Sequence, residues 1–176
     1  LGLFFPRAEL AQLYVNNDYH GVYFAVEDFS GDSRIYVVNE PIEGGNAFVS
    51  ADFWRCEAQC SESGLEDFTE LNFLLKQMQE DDFLDKIEDI IDLENFYKWN
   101  ITSVLAGSDH QSNSGNLRIY FDNETAKFGF IPWDVGISNN IPLTFNNDLT
   151  DKILSVPKFY EQRNKALLEY IKEEGN

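Results

Sequence analysis

Between Leu105 and Gly136 the chain carries Gly107-Ser108-Asp109-His110, Asn116-Leu117-Arg118-Ile119-Tyr120 and Phe130-Ile131-Pro132-Trp133-Asp134. A helix running into a polar loop at Asp109, a strand opening at Asn116, a turn at Asp122-Asn123-Glu124 and a second strand ending on Asp134 would bring two carboxylates and an amide to one edge of a hairpin. That set suits phosphoryl transfer, which asks of a protein mainly an acid to orient the attacking hydroxyl and oxygen ligands to hold magnesium on the phosphates. Plainer readings stand beside it. Gly107-Ser108-Asp109 also reads as a helix stop with glycine in the left-handed position, and Asp134 as a strand-ending turn residue. His110 and His20 lie far apart in sequence and form no zinc-type spacing, so His110 reads as an exposed loop residue.

The elements that must position these residues are legible as periodicities. Residues 9–15 and 21–28 read as strands around an Asn16-Asn17-Asp18 turn, and 34–39 and 47–53 as two more strands separated by Gly44-Gly45. Phe68, Leu71, Leu75 and Met78 recur at helical spacing, as do Phe83, Ile87, Ile90 and Ile91. Asp92 is an N-cap for a third helix reaching Ala106, with Tyr97, Ile101, Val104 and Leu105 facing inward. Ser138 to Asp151 reads as loop, and Pro157 opens a last helix through Lys172.

The 176 residues, 43% hydrophobic and 15% aromatic, are enough for one domain with a proper core. Acidic residues outnumber basic ones 31 to 13, a formal net charge of −18. Nucleic acid and anionic membrane surfaces are therefore poor partners, whereas a basic protein would be steered favourably. Much of the excess falls in Glu57 to Glu94, read as helical with its acids outward. No stretch approaches the 18 or so apolar residues of a membrane span. Cys56 and Cys60 share one face if helical, a poor frame for a disulfide, but a loop or helix end allows a local bond. Of two Asn-x-Thr sequons, Asn123 lies in a turn and is the plausible acceptor, while Asn100 lies inside a helix.

The Asp109 to Asp134 block resembles the spore-coat protein H (CotH) kinase family, with its Gly-x-x-Asp loop, Asn-Tyr-Tyr-Leu-Tyr-like strand and Ile-Pro-Trp-Asp-x-Asp motif. A second block, Pro6-Arg7 through Gly21-Val22-Tyr23 to Val26-Glu27, resembles the family's strand, turn and Gly-Val-Tyr strand, in the family's order. The resemblance implies an α+β, atypical protein-kinase-like fold, antiparallel strands first and then a helical lobe, with further sequence before Leu1. One domain over 1–176 is expected, with 1–55 mainly the strand lobe and 56–176 mainly the helical lobe with the site hairpin.

By the same resemblance Asp109 takes the catalytic position, Asn116 and Asp134 the magnesium positions, and Glu27 a supporting role near the site, against a solvent-facing strand terminus. Seven residues separate Asp109 from Asn116 where the family has five, which makes Asn113 a rival ligand. The motif's last aspartate is replaced by Gly136, a strand exit freer to adopt positive φ. Gly45-Asn46-Ala47-Phe48-Val49-Ser50 lacks the family's phosphate-pairing lysine, leaving Arg34 or Arg55 to substitute, as a planar fork rather than a point charge. The implied activity is transfer of the γ-phosphate of ATP, with Mg2+, to Ser or Thr of a secreted, cell-surface or coat-associated protein, basic and Ser/Thr-rich. The alternative is a family member that has lost catalysis and serves as a structural or adhesive surface protein. A carbohydrate-associated module would rest on Trp54 and Trp99 being exposed.

Overall fold

A computed structural model describes residues 3, 7–26, 33–39, 46–60, 68–108, 110–111, 116–136 and 147–174. Two antiparallel sheets and five α-helices make an α+β arrangement among them. The first sheet is a ribbon of β1 (Ala8–Val15) and β2 (Asp18–Val26). Asn16 and Asn17 join its strands at φ 52° and 71°, the left-handed pair that a two-residue hairpin turn requires and that asparagine tolerates. Leu10 and Phe24 face each other across this ribbon yet stay 73% and 67% exposed.

The second sheet has the order β4-β3-β5-β6, from β3 (Arg34–Val38), β4 (Trp54–Ala58), β5 (Arg118–Asp122) and β6 (Lys127–Ile131). Alternation along β3 sends Tyr36 and Val38 to one face and Ile35 and Val37 to the other, and both faces are buried. The Tyr36 face receives α1 (Thr69–Gln77), α2 (Phe83–Ile90) and α3 (Leu93–Ala106), whose Leu71, Leu74, Phe83, Ile87 and Trp99 close the core with Ile119, Phe128 and Phe130. A short helix, α4 (Asp148–Leu154), and a long one, α5 (Pro157–Glu174), pack against each other and add Leu149, Ile153 and Phe159 to it.

Helix α3 is fixed to β6 at several points. The Asp92 carboxylate caps it by accepting from Asn95 N–H, and Asp92 N–H donates to the Phe128 carbonyl at 2.9 Å. One turn on, the buried Asn95 Oδ1 accepts from Phe130 N–H at 2.6 Å, and the Trp99 and Phe130 rings lie 4.7 Å apart. Helix and hairpin are thereby tied at three points.

Several expectations change. Residues 47–53 form two 3-10 turns, Ala47–Val49 and Ala51–Phe53, instead of a strand, because the Asn46 and Ser50 side chains accept from Phe48 N–H and Asp52 N–H and curl the backbone. The fourth strand lies later, at Trp54–Ala58, and runs into the start of what reads as acidic helix, so Cys56 is on a strand. Leu105 is 48% exposed instead of inward, its place in the core taken by Phe96 and Trp99. Trp54 and Trp99 are both core, which removes the basis for a carbohydrate face. Asn147 caps α4 inside the stretch expected to be loop. Among the described residues no helix is long and apolar enough to cross a membrane.

Candidate functional site

Helix α3 stops at Gly107, whose φ of 66° and ψ of 27° are the left-handed values expected of it. Ser108 N–H returns to the Ser103 carbonyl and Gly107 N–H to that of Val104, the paired bonds of a Schellman stop. Asp109, two residues past this stop, lies outside the described residues, as do Glu27 and the rival ligand Asn113.

On the hairpin, Asn116 lies just before β5 and Asp134 three residues past β6, and Asn116 Nδ2 donates to Asp134 Oδ2 at 2.9 Å. His110 Nδ1 stands 3.4 Å from the same oxygen. The Asp134 side chain is 58% exposed, so this carboxylate is reachable from solvent. Its backbone sits at φ 48°, a region that a non-glycine residue enters at a cost and that concentrates at functional sites. The freedom expected of Gly136 is thus used two residues earlier, by Asp134. A side chain at Gly136 would meet His110 Cε1 at 3.4 Å, so the imidazole borders the place where the family motif has its second carboxylate.

What holds Asp134 in that conformation was not visible in the sequence. Gln111, fully buried, accepts from Ser103 Oγ at 2.6 Å and donates through Nε2 to the Trp133 carbonyl at 2.7 Å. That carbonyl belongs to the peptide entering Asp134, so Gln111 ties α3 to the peptide plane on which the φ of Asp134 depends. The Asp134 carbonyl in turn accepts from Gly136 N–H at 2.9 Å. A glutamine in a loop reads as surface, and only the polar run around it hints at more.

The remaining candidates separate by register. Arg34 pairs with Phe121 and Val37 with Arg118, so Arg34 lies near the turn end of the hairpin, about 16 Å along the strand from Asn116. There Glu70 Oε2 accepts from Arg34 Nη1 at 2.6 Å and from Tyr36 Oη at 2.7 Å. Burial pushes the Glu70 carboxyl up, but the Tyr36 hydroxyl, a backbone N–H and Arg34 outweigh it and hold its pKa below the ordinary value. Arg34 is thus held away from Asn116 and Asp134. Arg55 instead shares the cross-sheet row Arg55, Val37, Arg118 and Ile131 at the site end, half exposed and 3.6 Å from Glu57. Val49 and Ser50, from the segment without a lysine, line a cavity of about 740 Å3 together with Trp54, Phe68, Asn72 and Lys76 of α1. Asn100 is buried and Asn123 exposed, in keeping with the reading of the two sequons.

Magnesium would place modest demands on the residues present. It prefers oxygen ligands, keeps several waters and is commonly held by one or two carboxylates and the substrate's phosphates rather than by a protein cage. Asp134 offers one exposed carboxylate, and among the described residues no group of three or more His, Cys, Asp or Glu is placed to hold a metal ion. For Asn116 to ligate, its amide oxygen must replace the nitrogen now facing Asp134, a half-turn of the amide. Compared with protein families, residues 1–173 match the model described as CotH kinase protein. A search of the curated proteins finds no match.

Proposed function

From the premise that the chain belongs to the CotH kinase family, we propose that it is a magnesium-dependent kinase of protein-kinase-like fold, passing the γ-phosphate of ATP to serine or threonine hydroxyls of a secreted or surface protein. The observation that carries this reading is the Asn116–Asp134 pair, an exposed carboxylate held in a left-handed backbone beside an amide at the mouth of the hairpin. Magnesium bound there would neutralise the charge that develops on the phosphates. Asp134 and Asn116 hold the metal, and Asp109, two residues past the Gly107 stop in sequence, orients the acceptor hydroxyl. Arg55 is the half-exposed strand cation at this end of the sheet, Arg118 being buried, and Lys76 lines the neighbouring cavity. The net charge of −18 favours a basic acceptor protein.

A second reading, a family member without catalysis that serves as a surface scaffold, is favoured by Gly136, by the absence of a lysine from Gly45 to Ser50 and by the altered Asp109 to Asn116 spacing. Incubation with γ-labelled ATP, Mg2+ and a basic Ser/Thr-rich protein separates the two. Transfer abolished by Asp134→Asn and by Asp109→Asn supports the kinase; no transfer by a folded wild-type protein supports the scaffold.

A further inference from the structure

Arg118, the first residue of β5, is 5% exposed in a protein with few cations, and no sequence motif assigns it a role. Its Nε and Nη2 donate to Glu57 Oε2 and Oε1 at 2.9 and 3.2 Å, a two-point fork, while its guanidinium carbon lies 3.9 Å from the centre of the Trp133 ring. Burying an ion pair is a poor way to gain stability, since desolvation of both charges offsets their attraction. What such a pair supplies is orientation: the planar guanidinium is fixed by the fork and presents one flat side to the indole. Trp133 is then held at two points, its ring by Arg118 and its carbonyl by Gln111. The next residue is Asp134. Glu57 is itself constrained, because it is the extra residue at the irregularity of β4 against Ile35 and Tyr36, inside the ring closed by the Cys56–Cys60 disulfide.

We propose that Arg118 is a positioning residue for Asp134, acting through the Trp133 ring and oriented by Glu57. The proposal rests on the phosphoryl-transfer reading of the Asp134 site. It gives the buried ion pair a task that an apolar pair of the same volume cannot perform, and it predicts that lysine, which keeps the charge but lacks the fork and the flat face, fails at Arg118.

The test compares wild type with Arg118→Lys, Glu57→Gln and, as a matched change to the Arg–Glu pair at the other end of the sheet, Arg34→Lys. Magnesium is titrated at fixed ATP by calorimetry, and acrylamide quenching of tryptophan fluorescence follows Trp133, since Trp54 and Trp99 are buried. Arg118→Lys and Glu57→Gln are expected to unfold cooperatively, to expose Trp133 to quencher and to raise the magnesium needed for half-maximal nucleotide binding about tenfold or more, the usual effect of losing a partner behind a metal ligand. Arg34→Lys is expected to leave both readouts at wild-type values. Should Arg118→Lys fail to fold, Glu57→Gln decides. Wild-type magnesium dependence and quenching in the folded variants overturn the proposal. A folded wild type that binds no nucleotide with magnesium removes the phosphoryl-transfer reading, and the proposal with it.

Discussion

The two ends of the four-stranded sheet are built from the same residue types and put them to opposite uses. At the end near the β5–β6 turn, Arg34, Glu70 and Tyr36 satisfy one another and tie β3 to α1. At the other end an equally well-formed pair, Arg118 with Glu57, is spent on orienting Trp133, and the neighbouring carboxylate, Asp134, is left exposed with an amide and an imidazole beside it. An arginine on a strand is therefore informative only together with its register. At one end the charge is consumed in structure; at the other, structure is consumed in presenting a charge.

The largest expected effect removes the floor that both ends share. Trp99→Ala empties a fully buried site stacked on Phe130 and is expected to cost about 3–5 kcal/mol. Urea denaturation would show it, with both ends lost together; loss of only one end would mean that they do not rest on a common core. Next comes the closed end alone. Glu70→Gln weakens the acceptor shared by Arg34 and Tyr36 and is expected to cost about 2 kcal/mol at neutral pH, with nucleotide binding unchanged.

The same pair predicts a pH dependence of known sign. The folded-state pKa of Glu70 lies below its ordinary 4.5, so its contribution is fully present above that value and is lost as pH falls through the lower folded one. Thermal melts of wild type and Glu70→Gln should therefore converge on acidification below pH 4.5. Parallel curves down to the acid limit would show that Glu70 is not held as described.

Opening the Cys56–Cys60 ring is expected to cost about 2 kcal/mol, because so short a loop restrains the unfolded chain only modestly. Melting with and without a dithiol reductant measures that cost. The smallest change in stability belongs to Gly136→Asp. Among the described residues the added side chain meets only the half-exposed imidazole of His110, so urea midpoints should move by under about 0.5 kcal/mol. Magnesium affinity should rise with the second carboxylate. A large loss of stability would place backbone, not imidazole, in that space.

Much of this division was readable beforehand. The stripes of α1, α2 and α3, the Asp92 cap, the Gly107 stop and the two hairpins all appear in the sequence as local chemistry. Residues 47–53 misled because composition favours a strand, whereas Asn46 and Ser50 bond to their own backbone, a choice that propensity does not record. Arg34 looked as eligible as Arg55 because strand pairing over 80 or more residues of separation decides which end each occupies. Gln111 and Arg118 were passed over for a related reason: a polar side chain in a loop or strand reads as solvated until the partner that buries it, here Trp133, is folded onto it.

The central claim is that Asp134 presents a carboxylate to magnesium and nucleotide. Calorimetric titration of ATP into the protein, with and without Mg2+, beside Asp134→Asn, tests it most directly. Binding that needs magnesium and disappears in the variant is the predicted result; folded proteins in which ATP binds equally with and without the metal, or not at all, would contradict it.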